Sequence, residues 1–163
     1  MKMISRAAVA LSILAITGSG IASAAEQMMP PVATVTIPAP FGSLPVSAWS
    51  WGVANSGTSG AGSGGGAGKA SIQDLSVTRL VDSQSPLFFR VAARGEHLPA
   101  VALVDGPTTV MLTDVLITGY ATEDRPPGNN GTRIENITFS FARIEYSVNG
   151  VTSCFNFTTN TSC

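Results

Sequence analysis

A period of two constrains this chain more than any other feature. Two long runs, Thr108 to Tyr120 and Thr132 to Tyr146, are rich in Thr, Ile and other strand-favouring residues and contain no proline. Such side chains lose rotamers on a helix and fit a pleated surface. In the second run Ile137, Phe139 and Phe141 share one face, while Ile144 and Tyr146 fall on the other. Both faces of that strand are therefore expected to be partly buried. A chain with this centre builds sheets.

Shorter segments extend the pattern. Val32 to Ile37 reads as a strand, as does Leu44 to Val53, with Trp49, Trp51 and Val53 on one face. In Ala70 to Leu80, Leu75 and Val77 share one face, and Ile72 and Leu80 the other. The change of phase near Asp74 predicts a bulge, or a strand buried on both sides. Val101 to Val104 is a further strand. Turns are marked by Pro38-Ala39-Pro40-Phe41-Gly42, Asp105-Gly106-Pro107 and Asn149-Gly150. One helix is expected over Leu87 to Arg94, with Ser85 as N-cap, Pro86 at the first helical position and Gly95 as C-cap. The sum is a mainly β fold: a small β-barrel of two packed antiparallel sheets with one short α-helix on its side. At 163 residues the chain holds one such domain.

The beginning of the chain reads differently. Lys2 and Arg6 precede an apolar stretch of 11 residues, Ala7 to Thr17, too short to span a bilayer. Ala22-Ser23-Ala24 is a small-residue cleavage signal. Residues 1–25 are thus expected to be a secretory signal peptide, 26–31 a linker, 32–150 the barrel domain and 151–163 a C-terminal tail. The mature protein would be secreted or periplasmic, with no membrane attachment after cleavage. Export places Cys154 and Cys163 in an oxidising compartment, where no other cysteine is available to either. A disulfide closing the tail is the expected state; free or intermolecular thiols are the alternative.

Charge and motifs narrow the function. Loss of Lys2 and Arg6 leaves 9 − 2 = 7 basic against 10 acidic residues, a net charge of −3. A nucleic-acid partner calls for a basic surface, so none is expected. Gly64-Gly65-Gly66-Ala67-Gly68-Lys69 has the look of a phosphate loop, but Ser63 and Ala70 occupy its required Gly and Ser/Thr positions. His97 is the only histidine; a triad would draw on Asp82, Asp105 or Asp114, yet no nucleophile elbow is present. A single histidine and two cysteines offer no metal cage. No catalytic residue, cofactor or metal is assigned. From Gly52 to Gly68 eight of 17 residues are glycine, a segment unable to bury a core of its own.

Ala48-Trp49-Ser50-Trp51-Gly52, Ser56-Gly57, Gly64 to Lys69, Gln73 to Thr78, Val81-Asp82, Ser85-Pro86-Leu87, Gly95, His97 and the run Ile137 to Tyr146 follow one another in an order and spacing that resembles the haemolysin-coregulated protein (Hcp) family. The resemblance covers about Val32 to Tyr146. It implies a barrel of two packed sheets with a helix on one side, hexameric rings, and stacking of rings into the tube of a type VI secretion system. Implied partners are further copies of the chain and the sheath, spike and effector proteins, with small cargo in the lumen. In this family the loop after the Trp strand serves ring stacking, which points to Gly57, Gly60, Gly64, Gly65, Gly66, Gly68 and Lys69. Three features depart from the pattern: the leader, a short Val101 to Thr109 hairpin, and the cysteine tail. They support an alternative, a Sec-exported binding or structural module of this fold outside the cytoplasm, without a contractile machine.

Overall fold

The computed structural model describes residues 30–57, 68–124 and 133–163. The expected signal peptide lies outside them, as do Gly60, Gly64, Gly65 and Gly66 of the Gly-rich loop. In chain order the elements are β1 (Ala33–Ile37), β2 (Gly42–Val46), β3 (Ala48–Asn55), β4 (Ala70–Leu80), α1 (Ser85–Arg94), β5 (His97–Asp105), β6 (Thr108–Asp124), β7 (Arg133–Val148), β8 (Val151–Asn156) and β9 (Thr161–Ser162). Among the described residues the fold is mainly β with one short helix, and its strands pair antiparallel.

The mainly β antiparallel fold is as expected, with its strands joined in one hydrogen-bonded sheet rather than two. There is one continuous sheet in the order β2-β1-β5-β6-β7-β4-β3, with β8 and β9 added to β7. Its two end strands, β2 and β3, are consecutive in sequence. The single strand expected over Leu44 to Val53 is divided at Ser47: β2 pairs with β1, and β3 pairs with β4. At the change of partner the Ser47 N–H donates to the Thr78 carbonyl (2.8 Å). The sheet therefore curls until its ends are neighbours, although among the described residues no hydrogen-bonded ladder closes it. Val35 and Leu44 from one end meet Val77 and Phe139 from the other in a single core. Burying each such aliphatic side chain contributes about 1.5–3 kcal/mol relative to exposure.

The bulge expected near Asp74 is present. Ser50 lies opposite Ser76 and Gly52 opposite Gln73, so β4 takes three steps where β3 takes two. An extra residue reverses the alternation beyond it. Ile72, opposite Val53, thereby comes to the side of Leu75 and Val77, not to that of Leu80 as expected.

Ile144 also departs from expectation: it is buried in the same core as Phe139 and Phe141. The buried positions change phase on three neighbouring strands at once. They run Leu103, Val101, then Leu98 on β5; Val110, Leu112, then Val115, Ile117 on β6; Ile144, then Phe141 on β7. The skips fall on one row of the ladder, between Ala100↔Thr113↔Arg143 and Leu98↔Val115↔Phe141. Asp114, within that row, has φ 54°. A left-handed residue in mid-strand redirects the side chains that follow it. Because every strand skips together, the register survives.

Helix α1 begins at Ser85, two residues earlier than expected. The N-cap is Gln84, not Ser85, and it makes no side-chain cap bond. The Ser85 hydroxyl instead accepts from the Asp82 N–H (3.0 Å), and Asp82 Oδ1 accepts from the Gln84 N–H (2.8 Å). Gly95 ends the helix at φ 62°, a conformation that glycine adopts without steric cost. Phe88 and Val91 are buried, and Phe88 stacks on Phe41 with centroids 4.5 Å apart.

Candidate functional site

Three features could serve function: the root of the Gly-rich loop, the cysteine tail, and a set of buried charges under α1.

The loop leaves β3 at Asn55 and rejoins β4 at Ala70. Its two ends are tied together. Asn55 Oδ1 accepts from the Gly57 N–H (2.8 Å), and Asn55 Nδ2 donates to the Gly68 carbonyl (3.1 Å). A Cβ on Gly68 would lie 2.6 Å from the Gly57 nitrogen. Gly68 is therefore required for close approach of the two chain segments. Lys69 is exposed beside it. Of the loop residues singled out above, the structure brings together Gly57, Gly68 and Lys69.

The tail is part of the sheet. β8 pairs with the C-terminal half of β7, and β9 turns back on β8. Cys154 is bonded to Cys163, with Cα atoms 5.3 Å apart. Arg143 Nε donates to Cys154 Sγ (3.1 Å). Phe157 packs edge-on against Phe141, with centroids 6.1 Å apart. The N-terminal half of β7 pairs with β4 instead. β4 and β8 thus diverge from β7 as a fork. Trp51, Val53 and Ala70 form one wall of the cleft between them, Phe155 and Phe157 the other, and Ile144 and Tyr146 the floor. Its volume is about 360 Å3, and among the described residues no charged side chain lines it.

At the opposite end lies a network that sequence reasoning missed. Arg79 and Glu135 are 2% and 0% exposed. Arg79 Nη1 donates to Glu135 Oε1 (2.5 Å), and Nη2 pairs with Asp82. The Tyr120 hydroxyl donates to Glu135 Oε2 (2.9 Å). Burial pushes the Tyr120 phenol up to about 12, with help from the hydrogen bond to Glu135 and from its negative charge. The Arg79 guanidinium also lies over the Phe88 ring, 5.6 Å from its centroid. A signal for these residues was available. Arg79 continues the buried series Leu75, Val77, and Glu135 continues the series Phe139, Ile137.

His97 Nδ1 meets Asp114 Oδ1 at 2.8 Å, with both side chains more than half exposed. Asp82 and Asp105 are engaged elsewhere: Asp82 with Arg79, and Asp105 with Trp49 Nε1 (2.9 Å). Among the described residues no hydroxyl or thiol is hydrogen-bonded to the His97 ring, and no group of three His, Cys, Asp or Glu is placed to hold a metal.

The family described as "Type VI secretion system effector, Hcp" matches residues 41–148. No curated protein matches the chain. Among solved structures, a type six secretion system protein is 19% identical, with TM-score 0.72 over 80% of this chain and 98% of its own. Hcp1 from Salmonella typhimurium is 24% identical, with TM-score 0.64 over 80% and 97%. A chain of the anti-feeding prophage baseplate, solved with 6-fold symmetry, is 14% identical with TM-score 0.51 over 73% and 93%. These structures share the fold, and the match over 41–148 spans most of the described domain: the chain belongs to the Hcp family of type VI secretion proteins.

Proposed function

We propose that this chain is a structural subunit that forms hexameric rings, and that the rings stack into a tube able to carry small cargo. The family is structural rather than enzymatic. The observation that carries the reading is the family match over 41–148, on a fold that spans 98% of a type six secretion system protein. A six-fold baseplate chain of the same fold supports ring symmetry. The stacking contact is assigned to the Gly-rich loop held at its root by Asn55 and Gly68. Sheath, spike and effector proteins would be the further partners. Light scattering behind size exclusion, with negative-stain images, tests the reading. A six-fold ring is expected, and a strictly monomeric protein at high concentration would refute it.

A second reading, an exported module without a contractile machine, is favoured by the disulfide of the tail. Disulfides persist in oxidising compartments, and the leader composition points the same way. Fractionation with N-terminal sequencing separates the two. A secreted or periplasmic protein starting near Glu26 supports export, whereas a cytoplasmic protein retaining Met1 supports in-cell tube assembly.

A further inference from the structure

The apolar cleft and helix α1 carry a more specific statement about how copies meet. Phe89 is 61% exposed, and it is the only aromatic among the exposed large hydrophobic residues described. It stands on the outer face of α1 with Pro86 and Ala93, both exposed, three residues before it and four after. The Phe89 ring rests edge-on against Tyr120, with centroids 6.3 Å apart, which fixes where it projects. The cleft is the concave counterpart: uncharged, walled by Trp51 and Phe155, and open to solvent past Val53, itself 59% exposed.

The two features lie far apart on one molecule. Tyr120 pairs with Ile137 near one end of the β6–β7 ladder. Tyr146, the floor of the cleft, pairs with Val110 near the other. Ten residues of β6 separate these rows, about 33 Å at the rise of a strand. Phe89 cannot reach the cleft of its own chain. An exposed apolar knob and an apolar pocket at distant places on the same protein make a heterologous contact, which propagates into a ring or a filament.

We infer that the cleft between β3–β4 and β8 receives Phe89 of a second copy of this chain, in a head-to-tail contact. The inference rests on the ring-forming reading and names a contact through which its copies join. The cleft, as lined by the described residues, holds no charge to be desolvated; the helix face offered to it is apolar at Pro86, Phe89 and Ala93, and its one charged member, the exposed Arg90, would have to stay at the rim in solvent. One wall of the cleft, Phe155 and Phe157, comes from the disulfide-closed hairpin beyond the family match.

The test uses two variants at exposed positions, Phe89→Asp and Val53→Arg, with circular dichroism to verify the fold. Phe89→Asp lacks the knob and keeps the cleft; Val53→Arg keeps the knob and blocks the cleft. Each alone is expected to associate at least tenfold more weakly than wild type, and to run as the smallest unit into which wild type dissociates. An equimolar mixture should pair, giving twice that mass with no further growth. If wild type assembles and Phe89→Asp assembles as well, this contact is wrong while the ring reading stands. If both variants fail alone and the mixture does not pair, the two surfaces are not complementary and the inference falls. A wild type monomeric at every concentration overturns the ring reading and the contact together.

Discussion

The two ends of the β6–β7 ladder are sealed by opposite means. Under α1 the seal is ionic and buried: Arg79 between Glu135 and Asp82, with Tyr120 on the far carboxylate oxygen. At the fork the seal is apolar and covalent: Phe155 and Phe157 laid against the core and the hairpin closed by Cys154–Cys163. The first lies within the residues matched to the family and the second beyond them. Buried charges fix geometry but fail abruptly when one partner is lost, because the survivor is left without compensation. An added apolar flap can fray while the sheet beneath it persists.

The largest expected effect follows from the ionic end. Glu135→Ala leaves Arg79 with a single, half-exposed partner, Asp82, and strips the acceptor from Tyr120. The expected loss is about 3–5 kcal/mol, measured by urea denaturation. The double variant Arg79→Met, Glu135→Leu should recover most of it, since no buried charge then remains. A Glu135→Ala protein as stable as wild type would show that the two ends do not differ in the manner described.

The covalent end should respond less. The cysteines are nine residues apart in sequence, and closing a loop of that size stabilises by about 2–3 kcal/mol in the chain-entropy account. Cys154→Ser with Cys163→Ser is expected to lose no more than this, and to lose it locally. Hydrogen exchange should show faster amides in β8 and unchanged protection in β6. Simultaneous loss in both strands would mean that the hairpin is integral to the barrel.

The sequence made most strands before Asn149, the bulge at Asp74 and the Gly95 cap legible, because each has a local signature; β8 and β9, expected only as a tail, were not. The corner at Ser47 has none. Nothing in Leu44 to Val53 marks where one strand changes partner, and that change depends on where β1 and β4 lie. The phase skip through Asp114 is likewise a property of three strands together, so reading Thr132 to Tyr146 alone put Ile144 on the wrong side. Arg79 and Glu135 were in phase with buried neighbours, but charge argued for exposure until each supplied the other's partner. The loop root depends on a contact between Gly68 and the Ser56–Gly57 backbone across the loop, which spacing does not reveal.

Alkaline pH sharpens the comparison further. The Tyr120 phenol titrates at about 12 in the folded protein and near 10 as an ordinary tyrosine. Between these values the unfolded chain has released a proton that the folded chain keeps. Stability from this group is therefore complete below pH 10 and declines as pH rises toward 12. Tyr120→Phe should flatten that part of the stability profile, at the cost of the hydrogen bond to Glu135. Serine replacement of the cysteines should leave the slope unchanged, because disulfide-bonded cysteines do not titrate. A profile as steep in Tyr120→Phe as in wild type would detach the phenol from the seal.

The smallest effect is expected where an ion pair lies in the open. His97 and Asp114 meet at 2.8 Å, much as Arg79 and Glu135 meet at 2.5 Å. The difference is exposure: 66% and 62% for the first pair, 2% and 0% for the second. Water solvates either member of the exposed pair once the other is removed, and pairs of this kind are worth about 0–1 kcal/mol. His97→Ala should accordingly shift stability by about 0.5 kcal/mol or less, with unchanged oligomer mass. Asp114 complicates the reciprocal variant, because its φ of 54° is strained for any side chain. Asp114→Gly removes the pair but relieves that strain, so it should be no less stable than His97→Ala. Thermal unfolding of both variants beside Glu135→Ala isolates burial as the variable. A His97→Ala loss approaching that of Glu135→Ala would show that contact geometry, not exclusion of water, sets the worth of these pairs.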